Sequence, residues 1–377
     1  MNDNLYKLAG FGQSVWFDDI NRDVINSGKL DKLIGEYNVT GGTSNPTIFE
    51  KAFSGSNAYE EQFRQLAKDI STPEGIQDML ALTDVQIAAD RLRDVYERTK
   101  GADGYVSLEV APTYADDTER TISETRRLFA ALDRPNVMIK IPGTPAGIPA
   151  VETCLAEGIN VNITLLFSVS SYEQVAEAYL SALERRIARG QPVDGIASVA
   201  SFFVSRVDTM ADDRLTALAG KASTPEREGE ILMLRGKLGV ANAKLAYQKY
   251  LAIMTSERWR KLSGAGARPQ RCLWASTSTK NPAYRDVLYI EELIGRETVN
   301  TLPEDTLYAF ADHGSPSATL TNGVDEARTL MSELRDSGLD VDAVTHDLQV
   351  EGVEKFAQSY ENALKAIKDR SQSVGVR

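Results

Sequence analysis

Three charged residues sit where a β-strand would ordinarily be apolar: Asp18 ending SVWFD, Glu109 within YVSLEVAP and Lys140 within NVMIKIPGT. An ammonium group among Val137, Met138, Ile139 and Ile141 is costly unless it is paired or neutral. Loss of hydration favours the neutral amine, and a neutral lysine can attack a carbonyl to form an imine. Imine chemistry needs proton transfer at two places: on the carbonyl oxygen that leaves as water, and on a substrate hydroxyl as a C–C bond breaks. Carboxylates close to an amine in a closed pocket suit both tasks. Each residue has a plainer explanation when taken alone. Lys140 could hold its head in solvent or form a structural ion pair, and either acid could make a salt bridge or bind a loop amide. Jointly, three charged residues in three strands are hard to explain as scaffold.

A polar set accompanies them. Asn162 and Thr164 in NVNITLLF are two residues apart and project to the same face of one strand. Such a pair suits hydroxyl recognition and the holding of a water; a satisfied polar layer in the core is the alternative. Asn45 and Ser201 are the remaining polar residues within or at the ends of otherwise apolar runs.

These residues need a frame that brings them together. Candidate strands fall at 14–18, 41–45, 105–110, 136–141, 160–167, 196–204, 272–275 and 298–302. Helix-like patterns at 59–70, 74–99, 117–132, 147–157 and 171–189 lie between them. Alternating strands and helices imply a parallel sheet, either doubly wound or closed. Eight strand–helix units favour an α/β fold of the single (β/α)8 TIM-barrel type, whose active site lies at the C-terminal ends of the strands. Two regions exceed what a plain barrel requires. The first, 209–270, has its strongest helical signal at 230–257, and the second is 325–369. Neither is bounded by a long Ser/Gly/Pro linker, so residues 1–377 are expected to form one domain with helical elaborations.

Composition narrows the function classes. The 377 residues are 42% hydrophobic and 25% charged, enough to bury a large core. A net charge of −12 argues against nucleic acid or an anionic membrane as partner. It leaves room for a small phosphorylated ligand, since local cations act within a Debye length of about 8 Å. Cys154 and Cys272 form no CxxC pattern, which disfavours a disulfide framework or a cysteine zinc site and fits a reducing cytosol. Nothing near His313 or His346 supports a Ser-His-Asp hydrolase. The start, MNDNLYKLAG, lacks the features of a secretion signal, and no apolar run approaches the roughly 20 residues that span a bilayer. A soluble, cytoplasmic protein is expected.

Several segments, in order and covering most of the chain, resemble the transaldolase family. They are GGTSNPTIF (41–49), VSLEV (106–110), NVMIKIPGT (136–144), GINVNITLLFS (158–168) and SFFVSR (201–206). The resemblance implies a class I, Schiff-base enzyme that moves a dihydroxyacetone unit between sugar phosphates. In that scheme Lys140 matches the lysine that attacks a ketose C2 carbonyl. Glu109 matches the acid–base that works through a water held with help from Thr164, and Asp18 matches the base that takes the C4-hydroxyl proton. Asn45, Asn162 and Ser201 match residues that hold substrate hydroxyls, and Arg206 matches a phosphate-binding arginine. After the seventh strand many relatives carry Ser-x-Arg, whereas WASTSTKNP keeps Ser276 but has Ser278 where the arginine would be. Lys280 is either the replacement cation or a solvated loop residue. No cofactor and no metal are implied, because a protonated imine is itself an electron sink. The expected partners are sugar phosphates, with the chain as monomer or homodimer. The donors implied are sedoheptulose 7-phosphate and fructose 6-phosphate of the non-oxidative pentose phosphate pathway. A class I aldolase of the fructose 6-phosphate type is the nearest alternative. A pyridoxal phosphate enzyme lacks its phosphate loop here, and a non-catalytic barrel would be expected to have lost Lys140, Glu109 or Asp18.

Overall fold

The computed structural model describes residues 3–373. Eight strands are present: β1 Gln13–Phe17, β2 Val39–Thr43, β3 Val106–Glu109, β4 Val137–Pro142, β5 Val161–Leu166, β6 Ser198–Phe203, β7 Arg271–Ala275 and β8 Thr298–Leu302. They pair in sequence order, all parallel, and β8 returns to β1 to close the barrel. Closure rules out the doubly wound alternative. The runs of Val, Ile and Leu that mark β4, β5 and β6 are buried along their whole length, as a strand sandwiched between barrel interior and helices must be.

The second strand begins and ends earlier than 41–45. Asn45 and Pro46 start the helix Pro46–Gly55, with Asn45 as N-cap and Pro46 in the first turn, where a missing N–H costs nothing. Gly41 is needed within β2 because Trp16, its register partner on β1, fills the barrel interior: a Cβ on Gly41 would lie 2.4 Å from the indole nitrogen.

The helical pattern at 74–99 is two helices, Pro73–Arg91 and Arg93–Arg98, joined at Leu92. The first elaboration, read as an extended stretch, is four: Ser205–Ala219, Pro225–Leu232, Leu238–Thr255 and Glu257–Gly264. The run 230–257 is interrupted because Gly236 adopts φ +70°, where the Tyr284 ring would occupy the place of a Cβ.

The last elaboration comprises Val324–Asp336 and the 33-residue helix Val341–Ser373. That C-terminal helix packs on Ser205–Ala219 at its start and on Pro46–Gly55 further along, so it crosses the end of the barrel where the strands finish. Asp347 pairs with Arg214 at 2.5 Å, and Ser359 bonds Thr47 at 2.9 Å.

Candidate active site

Strand register sets the centre of the site. Glu109 on β3, Lys140 on β4 and Asn162 on β5 are direct neighbours across the sheet: Glu109 ends its strand, Lys140 lies in the second half of β4, and Asn162 is the second residue of β5. Lys140 is 6% exposed, and its Nζ lies 3.3 Å from Glu109 Oε2 and donates to the Ser44 carbonyl at 3.4 Å. Apart from that ion pair, neither carboxylate oxygen of Glu109 has a protein partner, although both are buried. Burial pushes the Glu109 carboxyl above its ordinary range, against the pull of the Lys140 charge. Asp18, one residue past β1, is also raised by burial. The Lys140 charge opposes that rise, as does a 2.7 Å hydrogen bond that Asp18 accepts from the Thr43 hydroxyl. One amine therefore faces two acids, both shifted in the direction that suits a proton carrier near neutral pH.

The amine opens into a cavity of about 1090 Å³. Asp18, Asn45, Thr164, Ser201, Arg206, Ser276 and Lys280 all line it with Lys140. Glu109 and Asn162 lie behind this wall: the first on Lys140, the second accepting a 2.6 Å hydrogen bond from Ser201 while donating to Ser107 at 3.0 Å. All ten residues singled out from the sequence thus converge. The Thr164 hydroxyl is buried without a protein partner. Asn45 spends its side-chain oxygen on the Ile48 amide as N-cap, leaving its amide nitrogen for a ligand.

Arg206 opens the first turn of Ser205–Ala219 and lies between the rings of Phe203 and Phe356, at 5.1 and 5.9 Å. Lys280 lines the same part of the cavity; its Nζ donates to Ser278 at 2.6 Å, and burial followed by the Arg206 charge lowers its pKa. Among the described residues neither cation forms an ion pair, so both are free to meet an anion. Ser276 is held in the left-handed region (φ +55°), with its hydroxyl 2.9 Å from that of Ser205. Such a conformation is stored strain, often found beside a ligand.

A family model described as transaldolase/fructose-6-phosphate aldolase matches residues 15–367, a stretch that contains every one of these side chains. The chain belongs to this family. It is 45% identical over 376 residues to a transaldolase of Trichodesmium erythraeum, covering 99% of both chains. It is 47% identical over 376 residues to a transaldolase of a Parafrankia species, covering 99% of this chain and all of that one. A protein named transaldolase 2 from Nostoc punctiforme is 47% identical over 370 residues, 97% of each. The match to whole relatives takes in both helical elaborations and supports an enzyme of the transaldolase type.

Two features of this transaldolase-family site escaped sequence reasoning. Phe356, on the C-terminal helix, is 3% exposed, lines the cavity and places its ring 6.0 Å from Lys140 Nζ. The Ser44 carbonyl reaches the amine from the loop after β2. A Phe in an amphipathic helix reads as ordinary core, and a backbone carbonyl carries no residue signal. Among the described residues no cluster of His, Cys, Asp and Glu could hold a metal ion, and no helix is long and apolar enough to cross a membrane.

Proposed function

We propose that the protein is a transaldolase that carries a dihydroxyacetone unit from a ketose phosphate to an aldose phosphate through a Schiff base on Lys140. The observation that carries this reading is the Lys140 amine, buried 3.3 Å from Glu109 at the wall of a cavity that also presents Arg206. The amine attacks C2 of the ketose, and the carbinolamine loses its oxygen as water with a proton supplied from Glu109. Asp18 takes the C4-hydroxyl proton as the C3–C4 bond breaks, and the bonding pair flows into the iminium to leave an enamine on Lys140. An aldose acceptor reverses these steps, and water returns through Glu109 and Thr164 to free the new ketose. Glu109 also lines a second cavity of about 30 Å³ beside Gln77 and Tyr360, room for a water or two.

Asn45, Asn162 and Ser201 are assigned to the sugar hydroxyls; Asn162 acts through Ser201, which faces the cavity. Arg206, Lys280 and Ser276 form the phosphate subsite. Arg206 can grip two phosphate oxygens in a fork, and Lys280 adds a point charge. Sedoheptulose 7-phosphate and fructose 6-phosphate are the donors, glyceraldehyde 3-phosphate and erythrose 4-phosphate the acceptors, as in the non-oxidative pentose phosphate pathway. Two free, buried cysteines fit a reducing compartment and a cytoplasmic enzyme. The relatives' shared transaldolase name favours transfer over release of free dihydroxyacetone.

Incubation with fructose 6-phosphate, borohydride reduction and peptide mass spectrometry tests the scheme. A three-carbon dihydroxypropyl adduct is expected on Lys140 and absent in Lys140→Met, with turnover that depends on an aldose acceptor. Folded protein carrying no adduct on any lysine would sink the mechanism. Turnover without acceptor would favour the aldolase.

A further inference from the structure

We infer that the C-terminal helix Val341–Ser373 belongs to the catalytic apparatus and that Gln349 is a positioning residue, fixing the ends of β4 and β5 so that Thr164 is aimed at the reacting centre. The inference deepens the reading above and rests on it.

The side-chain amide of Gln349 donates to two carbonyls, Gly143 at 2.9 Å and Leu165 at 3.3 Å. The first lies three residues beyond Lys140, the second directly after Thr164. One amide therefore bridges the strand that carries the amine to the strand that carries the unpartnered hydroxyl.

What is held there is irregular backbone. Leu165 lies within β5 yet has φ +59°, a left-handed conformation that is strained for any residue but glycine. The pairing of β5 with β6 slips between Ile163 and Leu166. Such a bulge persists only where its surroundings fix it, and it re-aims the side chains beside it. Because the Thr164 hydroxyl has no protein partner, no side-chain hydrogen bond fixes its direction, and the path of the backbone sets where the side chain starts.

The helix is shaped to this bulge. Gln349, Gly352 and Phe356 share one helix face. A Cβ on Gly352 would come within 2.9 Å of Leu165 Cδ2, so only glycine lets the displaced leucine side chain meet the helix at this distance. One turn on, Phe356 places its ring 6.0 Å from the Lys140 amine and 5.9 Å from the Arg206 guanidinium. The helix is secured on both sides of this face, by Asp347 on Arg214 and by Asn362 on Glu50 at 2.9 Å.

Thr164 serves the water steps, imine formation and imine hydrolysis, and does not anchor the sugar. Loss of the Gln349 donor should therefore lower kcat and leave KM for the ketose phosphate alone. Gln349→Leu keeps the volume and removes the donor; kcat is expected to fall on the order of tenfold or more, with KM within about twofold of wild type. Adduct formation on Lys140 under borohydride should slow by the same factor. Gly352→Ala, which pushes on Leu165, should act in the same direction, and Arg328→Ala, which breaks only an exposed ion pair with Asp325 on the preceding helix, should leave both constants unchanged. Circular dichroism and melting temperature establish that each variant is folded. A wild-type kcat in folded Gln349→Leu, a loss confined to KM, or a loss that merely tracks unfolded protein would each overturn the inference. A wild type that traps no adduct would overturn the functional reading and this inference with it, which separates the two failures.

Discussion

Lys140 and Glu109 are register partners, and the Lys140 charge opposes the burial that raises the Glu109 carboxyl. Glu109→Gln keeps the shape and removes the proton, and kcat should fall on the order of 10²–10⁴-fold. Retention of wild-type kcat would remove Glu109 from the reaction. The pH dependence has a definite sign. Burial raises Asp18 and Glu109 above 3.8 and 4.5, so Asp18 is protonated, and useless as a base, at pH values where an ordinary aspartate is ionised. Activity should accordingly fall with falling pH along a limb that lies above the ordinary carboxylate range, seen as kcat/KM against pH. A limb at or below that range would contradict the burial argument. The same shifts act on stability in the opposite sense: the raised carboxyls favour the folded state fully below their unfolded values, and that contribution is lost as pH rises through the raised ones. At this scale the sequence was informative because a charge in an apolar strand is conspicuous. Phe356 was not legible, since nothing local distinguishes a cavity wall from core.

The strands were legible as elements because a buried parallel strand is a short apolar run between turn signals, and closure followed from counting eight of them. The helix breaks were not. Gly236 interrupts a strongly helical stretch at a positive φ, and the Tyr284 ring, from a distant part of the chain, takes the space a Cβ there would need. Gly41 illustrates the same dependence in β2. It reads as a weak strand former, yet its bare Cα is what admits Trp16, whose indole donates to Asp103 at 2.7 Å. Gly41→Ala is therefore expected to destabilise the fold by about 1–3 kcal/mol through overpacking, measured by urea denaturation. Unchanged stability would mean that the Trp16 layer can yield, against the close packing described.

A chain of net charge −12 directs two cations that form no ion pair among the described residues, Arg206 and Lys280, into a cavity of about 1090 Å³. The mean field keeps polyanions away, while the local field accepts a small one. The C-terminal helix links Pro46–Gly55 to Ser205–Ala219 over the strand ends, which ties early and late parts of the chain together. Residues 1–377 are thus expected to behave as one cooperative unit, with near- and far-ultraviolet circular dichroism melting at the same temperature. Separate transitions would show that the helical elaborations unfold independently. The same helix bears on the order in which the enzyme is made. A ribosome delivers Asp18, Lys140 and Arg206 well before Gln349 and Phe356, so until the last helix docks the nascent chain lacks both this tie and the ring that covers the amine. Competence then arrives last. A message cut short near its 3′ end is therefore expected to yield a chain that carries every strand of the barrel but not the helix that makes them one unit.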